Sequence, residues 1–387
     1  MQKVVAVLGG GIGGLSACHH LSKCPNVSKI VLLEKSGRCG GWLSTIRRDD
    51  GAVFEQGPRG VRPAGAVGRN TLNLVSELGL ESEILPVTKD HVASKNRFLY
   101  VKGQLHKMPS GPGGVIRTIP PFSRPIIQSV LKEMLIRKGT EEDESVHAFV
   151  SRRLGSELAD VVIDSLCRGV FAGDSRQLSV RSCFPPLYEA ERSRGSIVLG
   201  MLMGSGGPKV VPSDLAKRAS KESWTQWSLR RGMQAFPEAL EDMLKRRERV
   251  EHHHHAKVTS LNMNGGGWEI KLDDGISLKA DHVISTLPAS ELASVLPPAA
   301  QPLSEQLQSI ASVNVAVVNL EYEGFILPVT GFGHLVPSSE DPGLLGVVYD
   351  SVPFPQHNRS GGLTTRLTKS FILNCSLISL FYLYVFI

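Results

Sequence analysis

An α/β chain, in which a parallel-sheet domain is split by a mainly helical insertion and joined to a mixed-sheet domain, is predicted by three features of the sequence. Lys3–Leu8 is a short β-branched apolar run that enters a glycine-rich turn and then a helical stretch. A second buried run ends in a carboxylate at the spacing of one βαβ unit. From about residue 125 to 224 the apolar periodicity is helical, and strand patterns return near residue 256.

Composition bounds the function classes. With 387 residues the chain holds two or three domains, and 41% hydrophobic against 21% charged residues excludes a disordered, fibrous or polytopic membrane protein. The formal charge is +6 with no dense basic block interleaved with aromatics, so no nucleic-acid partner is expected. The weak positive field suits an acidic substrate or an anionic lipid. Cys18, Cys24, Cys39, Cys167, Cys183 and Cys375 lack CxxC spacing and read as free thiols in a reducing compartment, with no metal site implied.

The first strand starts at Lys3, so no basic or apolar presequence is evident, and any organellar address is expected to be internal or non-cleaved. After it, Gly9, Gly11 and Gly14 fit G-x-G-x-x-G across Gly9, Gly10, Gly11, Ile12, Gly13 and Gly14. The first glycine permits the tight turn, the second lets a pyrophosphate approach the backbone, and the third lets helix and strand pack closely. The helix that follows offers its unpaired N–H groups to the phosphates. The run Lys29–Leu33 then ends in Glu34, whose carboxylate can accept from both ribose hydroxyls. Strand, turn, helix and acid together predict a Rossmann-type dinucleotide site.

The same unit serves NAD and FAD, and the residues after Glu34 help to choose. Lys35, Arg38, Gly40, Gly41 and Trp42 complete an E-x-x-x-R-x-G-G pattern. Arg38 can counter phosphate charge, and Gly40 and Gly41 let backbone approach the cofactor. This pattern resembles the flavin amine oxidase superfamily, and Phe54–Gly60 is similar to that family's flavin-edge loop, which implies FAD. The resemblance implies cofactor contacts at Gly57, Pro58, Arg59, Gly60 and, through its backbone, Val258.

Further stretches, Asn96–Tyr100, Asp164–Asp174, Leu178–Ser179, Phe184–Leu187 and Gly331–Glu340, are similar to the protoporphyrinogen oxidases of animal mitochondrial type. The resemblance runs from about residue 3 to 358. It implies FAD-dependent oxidation of protoporphyrinogen IX to protoporphyrin IX in haem biosynthesis, with hydride passing to flavin and oxygen as acceptor. It implies a peripheral or monotopic place on the mitochondrial inner membrane and allows a homodimer. A bulky tetrapyrrole with two propionates calls for an apolar pocket with a cation. Arg97 is the propionate partner on chemical grounds, and Leu166, Phe332 and Leu335 match positions that line the macrocycle. No catalytic nucleophile, paired carboxylate or metal is expected, because orientation beside the flavin suffices.

The expected division is residues 1–90 for the first part of the FAD domain and 91–224 for the helical substrate and membrane-docking insertion. Residues 225–290 give the second part of the FAD domain, 291–358 the substrate-domain strands, and 359–387 an apolar tail outside the family. Phe98–Leu105 reads as a hairpin turning at Lys102-Gly103. Pro125, Ile126, Ile127, Val130, Leu131, Met134 and Leu135 form an apolar stripe that either faces a core or docks on a membrane. His252–His255 reads as a solvated loop. Arg231 stands where relatives carry a glycine and brings strain if the backbone there needs positive φ. The tail from Phe371 to Ile387 reads as an anchor or as a non-native end, which leaves an inactive truncated isoform, or another flavin amine oxidase, as alternatives.

Overall fold

The computed structural model describes residues 3–203, 210–373 and 382–386. Two compact units result: Met1–Val61 with Thr71–Leu85 and Trp227–Ser312, and Arg62–Asn70 with Pro86–Gln226 and Val313–Ile387.

In the first unit β1 (Lys3–Leu8), α1 (Ile12–Leu21) and β2 (Val27–Leu33) form the expected βαβ unit. A four-stranded parallel sheet runs His282–Ser285, β1, β2, Val250–His253. Side chains alternate across a strand. Val5 and Val7 therefore join Leu15, Cys18, Leu240 and Leu244 of the helices on one face. Ala6 and Leu8 meet Leu261, Ile270 and Leu272 of a three-stranded antiparallel sheet on the other. Burial on both faces is why β1 and β2 read as unbroken apolar runs.

The second unit is built on a seven-stranded mixed sheet in the order Tyr382–Phe386, Asn314–Glu323, Thr364–Leu373, Leu344–Val348, Gly333–Leu335, Phe98–Val101, Gln104–Lys107. The hairpin turns at Lys102 and Gly103, both at positive φ (53° and 75°), as the sequence predicts. Thr364–Leu373, which the sequence reading places in the tail from residue 359, is a strand of this sheet. It lies between Asn314–Glu323 and Leu344–Val348 and pairs along its full length with the former. Its polar residues Thr365, Arg366 and Thr368 are buried, and Thr368 Oγ1 reaches Asn319 and Asp350 at 2.6 Å each. This segment forms the polar ladder of a central strand. Tyr382–Phe386 pairs in parallel with Val317–Glu321, while residues 374–381 and 387 of the expected anchor lie outside the described residues.

The helical part of this unit packs Phe149, Val150, Cys167, Val180 and Ile197 into one core. Helix Ile126–Glu133 carries the first part of the apolar stripe. Leu131, Met134 and Leu135 are exposed, and the buried residue is Glu133. Its carboxylate pairs with fully buried Arg153 and accepts from Ser196 Oγ and the Ile197 amide (2.6 and 2.7 Å). Burial alone would raise the Glu133 pKa; these hydrogen bonds outweigh it and hold the carboxyl below its ordinary range. The stripe is thus divided: Ile126, Ile127 and Val130 are half-buried, Leu131, Met134 and Leu135 face outward, and the one fully buried side chain of the helix is a carboxylate.

Candidate functional site

The glycine turn has the geometry its sequence predicts. Gly9 sits at φ +96°, and Gly11 caps α1 in extended conformation with Leu15 N–H on its carbonyl at 3.0 Å. A Cβ on Gly14 would lie 1.9 Å from the Gly9 carbonyl oxygen, so helix and strand touch there. A Cβ on Gly11 would meet nothing within 4 Å. The turn is thus closed toward the protein and open at Gly11 and exposed Gly13, where the first amides of α1 are free to bind an anion.

Glu34 directly follows β2 beside this opening. Its Oε2 accepts from the Gly10 amide at 2.7 Å, and Oε1 from the Ser36 amide and hydroxyl at 2.8 Å each. Two backbone amides fix the carboxylate, and its remaining lone pairs can accept from a ribose. Lys35 is exposed and 3.8 Å from Glu291.

The second glycine pair docks on the first. Gly40 N–H donates to the Gly10 carbonyl at 2.9 Å, and a Cβ on Gly41 would come 3.2 Å from Gly11 Cα. Arg38 spends its guanidinium on this loop, donating to the carbonyls of Cys39, Leu43 and Gly41. These bonds shape the cradle beside the glycine turn. Trp42 is 78% exposed, and its carbonyl oxygen would be 2.1 Å from a Cβ on Gly57. Gly57, Arg59 and Gly60 are half-buried and Pro58 exposed, while Val258 begins the antiparallel sheet opposite Leu272.

Two cradle residues escaped sequence reasoning. Thr286 Oγ1 donates to the Leu8 and Gly9 carbonyls (2.9 and 3.1 Å), clamping the turn from the far strand. Buried Glu55 accepts from Thr45 Oγ1 and from the Met233 amide (2.7 and 2.6 Å), tying the flavin-edge loop to the stretch after Gly232. No local pattern marks either, because their partners are distant in sequence. The conditional strain at Arg231 does not arise: the positive φ (83°) falls on Gly232, whose Cβ would strike Thr45 at 2.3 Å.

The tetrapyrrole candidates all belong to the second unit. The Arg97 guanidinium lies 5.9 Å from the Phe332 ring centroid. Partial burial and nearby Arg62 lower its pKa, though a guanidinium stays charged at neutral pH. Leu335 fills the space above Gly169, where an added Cβ would meet Leu335 Cδ2 at 2.5 Å. Leu166, three residues before Gly169 on helix Asp164–Phe171, shares that helix face and is half-buried. The helix is pinned by Arg168 to the carbonyls of Asp341, Pro342 and Leu344, and by Asp164 to the Ser338 amide. Between Phe332 and Leu335, His334 bonds Tyr349 Oη at 2.8 Å; burial and Lys369 push its pKa down to about 4, so it is neutral.

His252–His255 departs from the expected solvated loop. Strand Val250–His253 lines the parallel sheet's edge, and His252, His253 and His254 are half-buried. Among the described residues no helix is long and apolar enough to cross a membrane.

The open glycine turn, the free helix terminus and the anchored ribose acid fit a dinucleotide, and the fold around them is that of a FAD-dependent oxidoreductase. The family described as flavin containing amine oxidoreductase matches residues 12–369, which carries the family resemblance past residue 358 into the central strand. Protoporphyrinogen oxidase of Homo sapiens is 54% identical over 361 residues, covering 93% of this chain and 75% of its own. The protoporphyrinogen oxidase of Schizosaccharomyces pombe is 30% identical over 410 residues, 97% of this chain and 80% of that one. A solved structure from Exiguobacterium sp. 255-15 superposes with a TM-score of 0.72 at 25% identity, covering 96% of this chain and 77% of that one. The chain belongs to the flavin-containing amine oxidoreductase family, among its protoporphyrinogen oxidases.

Proposed function

We propose that this chain oxidises protoporphyrinogen IX to protoporphyrin IX, with oxygen as the final acceptor. What carries the reading is the 54% identity over 361 residues, 93% of this chain. When bound, FAD supplies the two-electron acceptor.

The chain's own part is binding and orientation. Gly11, Gly13 and the first amides of α1 receive the pyrophosphate, and Glu34 the ribose. Arg97 takes a propionate in a bidentate pair, and Leu166, Phe332 and Leu335 supply the apolar wall. With the macrocycle held, no nucleophile is needed. The exposed side chains of Leu131, Met134 and Leu135, with Met201, Leu202 and Met203, support docking on a membrane surface, which we place at the mitochondrial inner membrane with the chain as a monotopic protein and a homodimer.

The test is a porphyrin-fluorescence assay on the purified, flavin-loaded chain. Wild type is expected to form porphyrin from protoporphyrinogen IX. Arg97→Ala is expected to raise KM by about 10- to 100-fold, the loss of one charge-assisted pair. Stoichiometric FAD with no porphyrin formed, or turnover of amines alone, overturns the proposal.

A further inference from the structure

The histidine run and the buried thiol of Cys39 are used by none of the roles above, yet the fold brings them together. Cys39 lies beneath the glycine turn and is 6% exposed; a Cβ on Gly10 would come 2.8 Å from its Sγ. Glu241 projects from helix Ala235–Lys245, and His254 follows strand Val250–His253. One ligand atom from each of Cys39, Glu241 and His254 lies within 4.8 Å of the others. We propose that Cys39, Glu241 and His254 form a binding site for a divalent cation of zinc type, beside the nucleotide cradle and independent of flavin chemistry.

The donor set is the ground for the metal class. Thiolate, imidazole and carboxylate are the ligands of tetrahedral Zn2+, with bonds of about 2.0–2.3 Å, so inward shifts of about 1 Å close the site. His254 Nε2 is already 3.0 Å from Glu241 Oε1. A second observation points the same way: His254 Nδ1 and both ring nitrogens of His252 are buried without a hydrogen-bond partner. His252, two residues before His254 and on the adjoining strand, is near enough to this cluster for Glu241 and His254 to act electrostatically on its ring. His253 turns away and bonds Glu251 at 2.9 Å. Lys245 Nζ, 2.8 Å from Glu241, is half exposed and free to swing into solvent when a cation arrives. Burial and the carboxylates of Glu241 and Glu34 keep the Cys39 thiol protonated until then, and a bound cation reverses that balance.

The experiment uses the full flavin-loaded chain, stripped with a chelator and titrated with Zn2+ by calorimetry and with Co2+ by absorbance at wavelengths longer than those of the flavin. One equivalent of Zn2+ and tetrahedral Co2+ bands are expected. Cys39→Ser and His254→Gln are each expected to weaken binding by at least about 100-fold, more than an outer-shell change would. The double variant His253→Gln/His255→Gln is expected to bind as wild type. Flavin content and circular dichroism of each variant separate a lost ligand from a lost fold, and His254→Gln, at a half-exposed position, keeps the question open should Cys39→Ser misfold. Absence of a one-to-one site in wild type, or affinity that follows the His253/His255 variant, overturns the proposal.

Discussion

Single residues set the cofactor cradle through space they do not occupy. Gly14 and Gly11 belong to one motif but do different work, and substitution separates them. At Gly14 an added Cβ meets the Gly9 carbonyl at 1.9 Å, so Gly14→Ala is expected to push helix from strand, costing about 1–3 kcal/mol in both stability and flavin binding. At Gly11, with φ −66° and open space, alanine is expected to leave the melting temperature unchanged and to lower flavin per polypeptide, since it intrudes only on the phosphates. Flavin absorbance and thermal unfolding on both variants check this. His334 gives a pH signature at the same scale. Its folded pKa, down at about 4, lies below the unfolded 6.5, so the unfolded chain binds more protons between those values. Stability therefore falls as pH drops from 6.5 to 4, by at most about 3 kcal/mol, and changes no further through this group below pH 4. His334→Gln is expected to flatten urea midpoints measured across that window.

At the scale of elements, helix Ile126–Glu133 buries a carboxylate while part of its apolar stripe faces outward. Periodicity alone reports a stripe and is silent on which side is wet. The decision lies with Arg153, Ser196 and Ile197, which receive Glu133 inside the helical layer. Removing one member strands a buried charge. Arg153→Met is expected to cost about 3–5 kcal/mol in chemical denaturation. Leu131→Ser/Leu135→Ser, on the exposed face, is expected to leave stability within about 0.5 kcal/mol and to reduce sedimentation with anionic vesicles.

At the scale of the whole molecule, the strand Thr364–Leu373 carries the second unit's sheet. A chain ended after Asn358 loses it, leaving Asn314–Glu323 and Leu344–Val348 with open edges. Such a truncation is expected to be insoluble, as centrifugation after expression reports. What the sequence alone determined is the βαβ unit, the turn from Gly9 to Gly14, Glu34 and the hairpin at Lys102-Gly103. Each is written in local spacing, where chain geometry permits few conformations. Tertiary structure decided the rest: the central place of Thr364–Leu373, the burial of Glu133, the clamps of Thr286 and Glu55, and the meeting of Cys39 with Glu241 and His254. In each of these the partner lies far along the chain. Burial of a polar group is settled by that partner, which no local pattern contains.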